Sequence, residues 1–276
     1  MPGSHPVAVV TDSTASLPAD LARQLTVVPL TVVVDGVQRH DVASDDIAHS
    51  SVTTSRPAPG EFGEVYRRLL DAGAEAILSV HLSANFSGTI EVARLAAAEF
   101  DGRVEVIDSH STAMGLGFPA LAAALAAAED QDLPAVRAAA ASAIARTTTL
   151  FYVDTLEHLR RGGRIGAASA LFGTALSVKP ILQTTDRGVI VREKVRTSSR
   201  ALARLADLAV EAARDGTVDV AVHHLGAPER ADLLANTLKD RLGSRLRAAY
   251  QSEVGAVVGA HVGPGMAAAV VHRLND

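Results

Sequence analysis

The stretch Ala76-Ile77-Leu78-Ser79-Val80-His81-Leu82 decides the fold class. This short apolar run is followed by a polar turn at 83–89, a helical pattern from Thr89 to Phe100 and a second apolar run from Val104 to Ile107. Short buried strands that alternate with helices are typical of βαβ units around a parallel sheet. Ligands of such sheets bind at the loops that follow the carboxyl ends of the strands. The sequence therefore predicts a parallel α/β domain with a candidate site at the turn 83–89.

The same alternation extends towards the N-terminus. Pro6 to Val10 and Leu25 to Val34 are predicted as strands, and Phe62 to Ala72 is predicted as a helix. A further helix is predicted to begin near Ser16. Together these elements predict a first domain at residues 1–150.

The second half of the chain has a different pattern. A hairpin is predicted at Ile181 to Thr185 with Val189 to Val195. Helices are predicted at Ser199 to Arg214 and Glu229 to Leu242, and further strands at Val218 to His223 and Val254 to Val262. An antiparallel hairpin beside strands that are joined by helices indicates a mixed sheet. We therefore expect a second α/β domain at residues 151–276.

The composition excludes several classes of protein. Of the 276 residues, 48% are hydrophobic and 21% are charged, as in ordinary globular proteins, and the net charge of −5 argues against nucleic-acid binding. The chain has no cysteine, so disulfides and thiolate metal sites are excluded. The first residues lack a signal-peptide pattern, and the Ala-rich run from Leu121 to Ala128 is too short to span a bilayer. These features predict a cytoplasmic protein without stable membrane insertion.

One histidine lies in the stretch Val258-Gly259-Ala260-His261-Val262-Gly263-Pro264-Gly265. The Gly-Pro-Gly turn is predicted to open an Ala-rich helix, which would place His261 beside a helix N-terminus. Small anions bind at such places because the N–H groups of the first turn are unpaired and the helix dipole favours negative charge. The alternative is a strand-to-helix turn with an incidental histidine.

Four other polar segments carry candidate residues, each with a structural alternative. Thr54 precedes a predicted helix and Ser87 follows a predicted strand, so both hydroxyls could simply belong to ordinary turns or helix caps. Arg164 follows a Gly-Gly pair, where a solvated surface arginine is the alternative. Arg196 alternates with Lys194 on one face of a strand, where basic residues also serve to protect a sheet edge.

Several catalytic motifs are missing from the sequence. It contains no G-x-x-x-x-G-K-[ST] phosphate loop and no G-x-S-x-G nucleophile elbow. His223 and His224 are neighbours on a predicted strand and so point to opposite faces, which disfavours a shared metal. We therefore expect no cofactor, no metal and no catalytic residue.

Read together and in order, the polar segments resemble the DegV family over nearly the whole chain. The matching pieces are Thr11-Asp12-Ser13-Thr14, Thr54-Ser55-x-Pro57, Ser87-Gly88-Thr89, Asp108-Ser109, Met114-Gly115-Leu116-Gly117, Asp154-Thr155-Leu156, Arg161-Gly162-Gly163-Arg164-Ile165, Lys179-Pro180-Ile181-Leu182, Lys194-Val195-Arg196-Thr197 and His261-Val262-Gly263-Pro264-Gly265. Each piece is weak alone, but their joint order is specific.

The resemblance implies two domains, a three-layer α/β/α domain with a parallel sheet and a two-layer α/β domain with a mixed sheet. It also implies that the protein binds one long-chain fatty acid and acts as the non-catalytic binding subunit of bacterial fatty acid kinase. A separate ATP-binding subunit would phosphorylate the carboxylate. By similarity, Thr54, Ser87 and His261 would surround that carboxylate, and Arg164 and Arg196 would lie near the head group and the partner-facing surface.

Two other functions stay open. One is a stand-alone fatty acid or lipid carrier, and the other is an enzyme related to dihydroxyacetone kinase, whose fold binds its substrate through a histidine. One departure from the family also bears on the ligand: Phe86 precedes Ser87 where relatives carry a smaller aliphatic residue, so we expect it to shorten or reshape the acyl pocket.

Overall fold

The computed structural model describes residues 6–40, 52–55, 59–171 and 178–274. The first half of the chain builds a parallel sheet, of strand order β2-β1-β6-β7, and a small antiparallel sheet, of order β4-β3-β5. Its elements are β1 (Val7–Asp12), β2 (Thr26–Val28), β3 (Thr31–Val34), β4 (Val37–His40), β5 (Val52–Ser55), α1 (Pro59–Asp71), β6 (Ala76–His81), α2 (Thr89–Ala97), β7 (Val104–Asp108), α3 (Met114–Ala128) and α4 (Leu133–Arg146).

The second half builds one six-stranded sheet of order β10-β9-β8-β13-β11-β12. Only β11 and β12 pair in parallel within it, so the predicted mixed sheet is confirmed. Its elements are β8 (Thr147–Tyr152), α5 (Glu157–Arg161), β9 (Lys179–Thr185), β10 (Gly188–Val195), α6 (Ser198–Ala213), β11 (Val218–His224), α7 (Pro228–Leu242), β12 (Leu246–Glu253), α8 (Ala256–Val262) and β13 (Ala267–Arg273).

Helices cover both faces of the parallel sheet, which confirms the predicted three layers. Because successive strand residues point to opposite faces, Ile77 packs with Tyr66 of α1 while Leu78 packs with Leu116 of α3. Helix α3 also contacts β8 and β13, so it lies between the two large sheets. The opposite face of the six-stranded sheet is covered by α6 and α7. Strand β8 crosses the predicted boundary at 150/151 and belongs wholly to the six-stranded sheet.

Two N-terminal predictions were wrong. The single strand expected from Leu25 to Val34 is divided at Pro29, which has no N–H for a ladder, and β2 and β3 join different sheets. The helix expected near Ser16 is replaced by two short 3₁₀ turns, Ser13–Ala15 and Leu21–Gln24. The left-handed conformation of Ser16 (φ 49°) ends the first turn.

The C-terminal prediction was also wrong, in both its elements. The apolar run from Val254 to Val262 is not a strand, because β12 ends at Glu253 and residues 256–262 form α8. The Ala-rich segment after the Gly-Pro-Gly turn is not a helix but β13, a central strand. Both faces of β13 are buried, since Ala267 packs towards α6 and Ala268 packs on the opposite face. This tertiary packing overrides the helix propensity of alanine.

Candidate ligand-binding site

A mostly apolar cavity lies between the six-stranded sheet and the first half of the chain. The free space in the cavity together with the open solvent at its mouth is about 860 Å³. The residues that line it are Thr14, Leu30, Thr54, Leu82, Phe86, Ser87, Thr112, Ala113, Thr149, Phe151, Leu159, Arg164, Thr184, Val189, His223, Val254, Val257, Val258, His261, Val262, Met266 and Ala268. Thr54, Ser87, His261 and Arg164, four of the five predicted site residues, therefore share one cavity, and Phe86 lines it as well.

Thr54 and His261 are joined by a hydrogen bond, although they lie 207 positions apart in the chain. The distance from Thr54 Oγ1 to His261 Nε2 is 3.1 Å. Thr54 lies on strand β5 rather than in a helix-entry loop, and Pro57 of the same motif lies outside the described residues. Helix α8 packs against β3 and β5, and this contact brings the imidazole to the strand.

His261 stands at the carboxyl end of α8 and not at a helix N-terminus. The dipole argument for an anion site at this position is therefore wrong. Burial, and secondarily the nearby charge of Arg164, lower the pKa of His261 to about 4, so the ring is neutral at physiological pH. Its Nδ1 is buried and has no hydrogen-bond partner within the described ranges. This nitrogen faces Gly162, where an added Cβ would lie only 2.3 Å from it.

Ser87 lies in the turn between β6 and α2, on the wall of the same cavity. The residue at the N-cap of α2 is Gly88, so Ser87 does not take the capping position that was its structural alternative. The Ser87 hydroxyl instead accepts a hydrogen bond from the Thr89 N–H (3.3 Å) and lies 2.9 Å from Thr89 Oγ1. If Thr89 donates that second bond, the Ser87 proton is free to point into the cavity.

Arg164 ties the Ser87 turn to the Gly162 turn. Its Nε donates to the Phe86 carbonyl at 2.6 Å and its Nη1 donates to the Gly162 carbonyl at 2.5 Å. The guanidinium therefore holds together the two backbone segments that flank Ser87 and His261. Arg164 is both a cation beside the cavity and a structural clamp.

Arg196 is not brought to the cavity. It lies immediately after β10 with an exposed side chain, and it does not line the cavity wall. Lys194 is exposed on the same strand face, as the alternation predicts. The structure thus separates Arg196 from the other four predicted residues.

An ion pair that the sequence does not predict fixes the turn that follows His261. Asp154 forms an ion pair with Arg230 at 2.9 Å, and Arg230 also donates to the Gly265 carbonyl. At Gly265 (φ 81°), an added Cβ would lie 2.1 Å from Asp154 Oδ2. The Gly-Pro-Gly motif signalled a tight turn, but no local pattern could pair Asp154 with a residue 76 positions away.

The site offers neutral hydroxyl donors, one neutral imidazole and one guanidinium on the wall of a mostly apolar cavity. Such an arrangement suits an amphipathic ligand with a small acidic head group, because a buried carboxylate requires hydrogen bonds to replace those it made with water. No group of three or more metal-ligating side chains occurs in the described part of the chain. Nor does any helix in these ranges have the length and apolar character needed to cross a bilayer.

Comparison with known proteins agrees with the motifs. A family model described as "Uncharacterised protein, DegV family" matches residues 6–273. A DegV domain-containing protein of Streptomyces coelicolor is 49% identical, over 97% of this chain and 99% of its own length. The chain therefore belongs to the DegV family.

Solved structures of relatives share the whole fold. A DegV family protein of Thermus thermophilus, whose structure is described by its fatty acid binding, has a TM-score of 0.92 at 33% identity and covers 98% of this chain and 100% of its own. DegV of Bacillus subtilis, described as a fatty acid binding protein, has a TM-score of 0.88 at 30% identity and covers 98% of this chain and 100% of its own. The predicted two-domain DegV fold is thus confirmed.

Proposed function

We propose that the protein binds one long-chain fatty acid, with the carboxylate at Thr54 and Ser87 and the acyl chain along the apolar cavity. The observation that carries the proposal is that Thr54, Ser87 and His261 line one mostly apolar cavity, in which Thr54 is hydrogen-bonded to His261. Relatives that are described as fatty acid binding proteins, at 30% and 33% identity, support it.

The energetics of this complex are favourable. Burial of each methylene contributes about 0.8 kcal/mol, so a dozen methylenes contribute about 10 kcal/mol before ordering costs. An unpaired buried carboxylate would cancel much of that gain. The hydroxyl donors of Thr54 and Ser87 replace the hydrogen bonds that the carboxylate made with water. A fully buried ion pair is therefore not required.

In this proposal His261 acts through Thr54. Its Nε2 lies against Thr54 Oγ1, and the ring is neutral, so it has a single N–H to donate. If that N–H is on Nε2, it donates to Thr54, and the Thr54 proton is then directed at the carboxylate. His261 thereby orients the donor that holds the acid.

Acid binding is tested by denaturing the purified protein and identifying the released lipid by mass spectrometry. We expect a fatty acid in equimolar amount or, if the protein is purified empty, saturable binding of added palmitate. Recovery of a sugar or another polar metabolite instead, with no binding of palmitate, would refute the proposal.

We further propose that the bound acid is presented to a separate ATP-binding kinase subunit, which forms the acyl-phosphate. The sequence has no Walker phosphate loop, and Arg196 is an exposed cation whose fork geometry suits an acidic or phosphorylated surface on a partner. The other two functions left open by the sequence, a stand-alone carrier and an independent kinase, predict different results in the same assay.

The kinase proposal predicts that Arg196→Ala spares acid binding and lowers acyl-phosphate formation at least tenfold, by loss of about 1.4 kcal/mol or more of partner contact. Arg192→Ala is the matched control, because Arg192 is an exposed arginine of β10, the strand that Arg196 follows. The assay mixes protein, ATP and palmitate with and without the candidate kinase. Equal phosphorylation by both variants would refute the role of Arg196, no turnover with any kinase would favour a carrier, and turnover without a kinase would favour an enzyme.

A further inference from the structure

Three hydroxyl side chains meet beside the cavity. Ser111 Oγ lies 3.0 Å from Thr149 Oγ1 and 3.1 Å from Thr184 Oγ1, and all three side chains are buried. Thr149 and Thr184 line the cavity wall. They are neighbours on β8 and β9, because Leu150 pairs with Gln183 in this antiparallel pair. We call Ser111, Thr149 and Thr184 the hydroxyl cluster.

The cavity wall next to the hydroxyl cluster is apolar. Val189 of β10 pairs with Thr184, and Phe151 follows Thr149 by two positions, on the same face of β8. Both of these apolar side chains line the cavity. Thr184 is therefore a polar side chain within an apolar stretch of the wall.

Thr184 keeps unused hydrogen-bonding capacity. A hydroxyl oxygen has one proton and two lone pairs. Within the ranges that the structure describes, the side chain of Thr184 makes one hydrogen bond, to Ser111. Whichever of these two hydroxyls donates, at least one lone pair of Thr184 Oγ1 has no donor among the described residues.

The other two members of the hydroxyl cluster are covered by the backbone of α3. A Cβ added at Gly115 of this helix would lie 2.1 Å from Ser111 Oγ and 2.2 Å from Thr149 Oγ1, whereas Thr184 is not among the atoms nearest to it. Ser111 also does not line the cavity. Thr184 is therefore the member of the cluster whose oxygen is open to a ligand.

We propose that Thr184 recognises a hydroxyl group on the acyl chain, so that the preferred ligand is a hydroxylated fatty acid. The inference rests on the proposed binding of a fatty acid. A ligand hydroxyl can donate to the free lone pair of Thr184 without breaking the bond between Thr184 and Ser111. A ligand hydroxyl that meets only aliphatic side chains stays unpaired, which weakens binding by about 5- to 150-fold.

The test compares palmitic acid with the series of monohydroxypalmitic acids that carry the hydroxyl at each carbon of the chain in turn. Dissociation constants are measured by displacement of a fluorescent fatty acid. We expect one isomer, or two neighbouring ones, to bind at least as tightly as palmitic acid, because its hydroxyl reaches Thr184. Isomers with the hydroxyl against aliphatic walls should bind about 5- to 150-fold more weakly. A series in which every isomer binds more weakly than palmitic acid would overturn the inference.

Two variants assign the preference to Thr184. Thr184→Val removes the hydroxyl and keeps the side-chain shape, and Thr184→Ser is the matched control that keeps the hydroxyl. The readout is the dissociation constant of palmitic acid divided by that of the favoured isomer, because a general loss of packing cancels in this ratio. We expect the ratio to fall about 5- to 150-fold in Thr184→Val and to stay close to the wild-type value in Thr184→Ser.

An unchanged ratio in Thr184→Val would overturn the inference, and so would an equal fall in Thr184→Ser. If Thr184→Val does not fold, Thr184→Ala removes the same hydroxyl and should lower the ratio in the same direction; no fall would again overturn the inference. If the wild-type protein binds neither palmitic acid nor any isomer, the proposed function itself fails. Binding of palmitic acid with no favoured isomer refutes the role of Thr184 alone.

Discussion

Replacement of Thr54 by valine tests the proposed head-group site most directly. Valine keeps the shape of threonine and removes only the hydroxyl. In the free protein, that hydroxyl lies 3.1 Å from His261 Nε2, and Thr54 lines the cavity. In the proposed complex, it is the donor that passes the hydrogen bond from His261 to the carboxylate.

The size of the effect follows from the bonds that are lost. A hydrogen bond to a charged group contributes about 1.5–3 kcal/mol, and each 1.4 kcal/mol of binding free energy changes the dissociation constant by a factor of ten. Thr54→Val should therefore weaken fatty acid binding by about 10- to 100-fold. The free protein also loses stability, by about 1–3 kcal/mol, because His261 Nε2 is left unpaired beside an Nδ1 that is already unpaired among the described residues.

The assay measures the palmitate dissociation constant and the free energy of unfolding of the same preparations. Thr53→Val is the matched control, because Thr53 is exposed on the neighbouring position of β5 and its side chain points to the other face. It should change neither quantity appreciably. If Thr53→Val and Thr54→Val bind palmitate equally well, Thr54 does not hold the carboxylate.

Two further predictions concern the histidines. Gly162→Ala should weaken palmitate binding by displacing the imidazole of His261, since the new Cβ would lie 2.3 Å from Nδ1. Gly60→Ala is the control, because its new Cβ meets nothing within 4 Å. Equal palmitate dissociation constants for the two variants would contradict this prediction. Burial lowers the pKa of His223, His261 and His272 to about 4 from the usual 6.5, so protonation opposes folding. The free energy of unfolding should therefore fall as the pH drops from 6.5 towards 4, by up to about 3 kcal/mol for each of the three histidines. Imidazole NMR signals assigned to these three residues that titrate near pH 6.5 would refute it.

The sequence predicts the parallel part of the fold well because its strands are short, apolar and separated by clear helical patterns. The run at 76–82 became β6 almost unchanged, and the hairpin at 181–195 became β9 and β10. The C-terminal failures occur at 254–262 and 267–273, where nearly every residue is apolar or small. Such runs fit a buried helix and a buried strand equally well, and the choice depends on which surfaces pack against them.

The candidate site was predictable from the order of its motifs, but its local chemistry was not. Thr54, Ser87 and Arg164 came from the family resemblance and lie on one cavity. The clamp formed by Arg164 has no sequence signal, because its guanidinium meets the carbonyl of Phe86, 78 positions away, only in the folded chain.

The position of His261 changes how the proposed site must hold an acid. A helix N-terminus would have supplied positive potential, but His261 lies at the carboxyl end of α8, and burial together with Arg164 keeps its ring neutral. Arg164 donates two of its N–H groups to the carbonyls of Phe86 and Gly162. The carboxylate in the proposed complex is therefore held mainly by neutral hydroxyl donors. A carboxylate that is hydrogen-bonded but not tightly ion-paired keeps more of its negative charge, and that charge is what a phosphoryl acceptor needs.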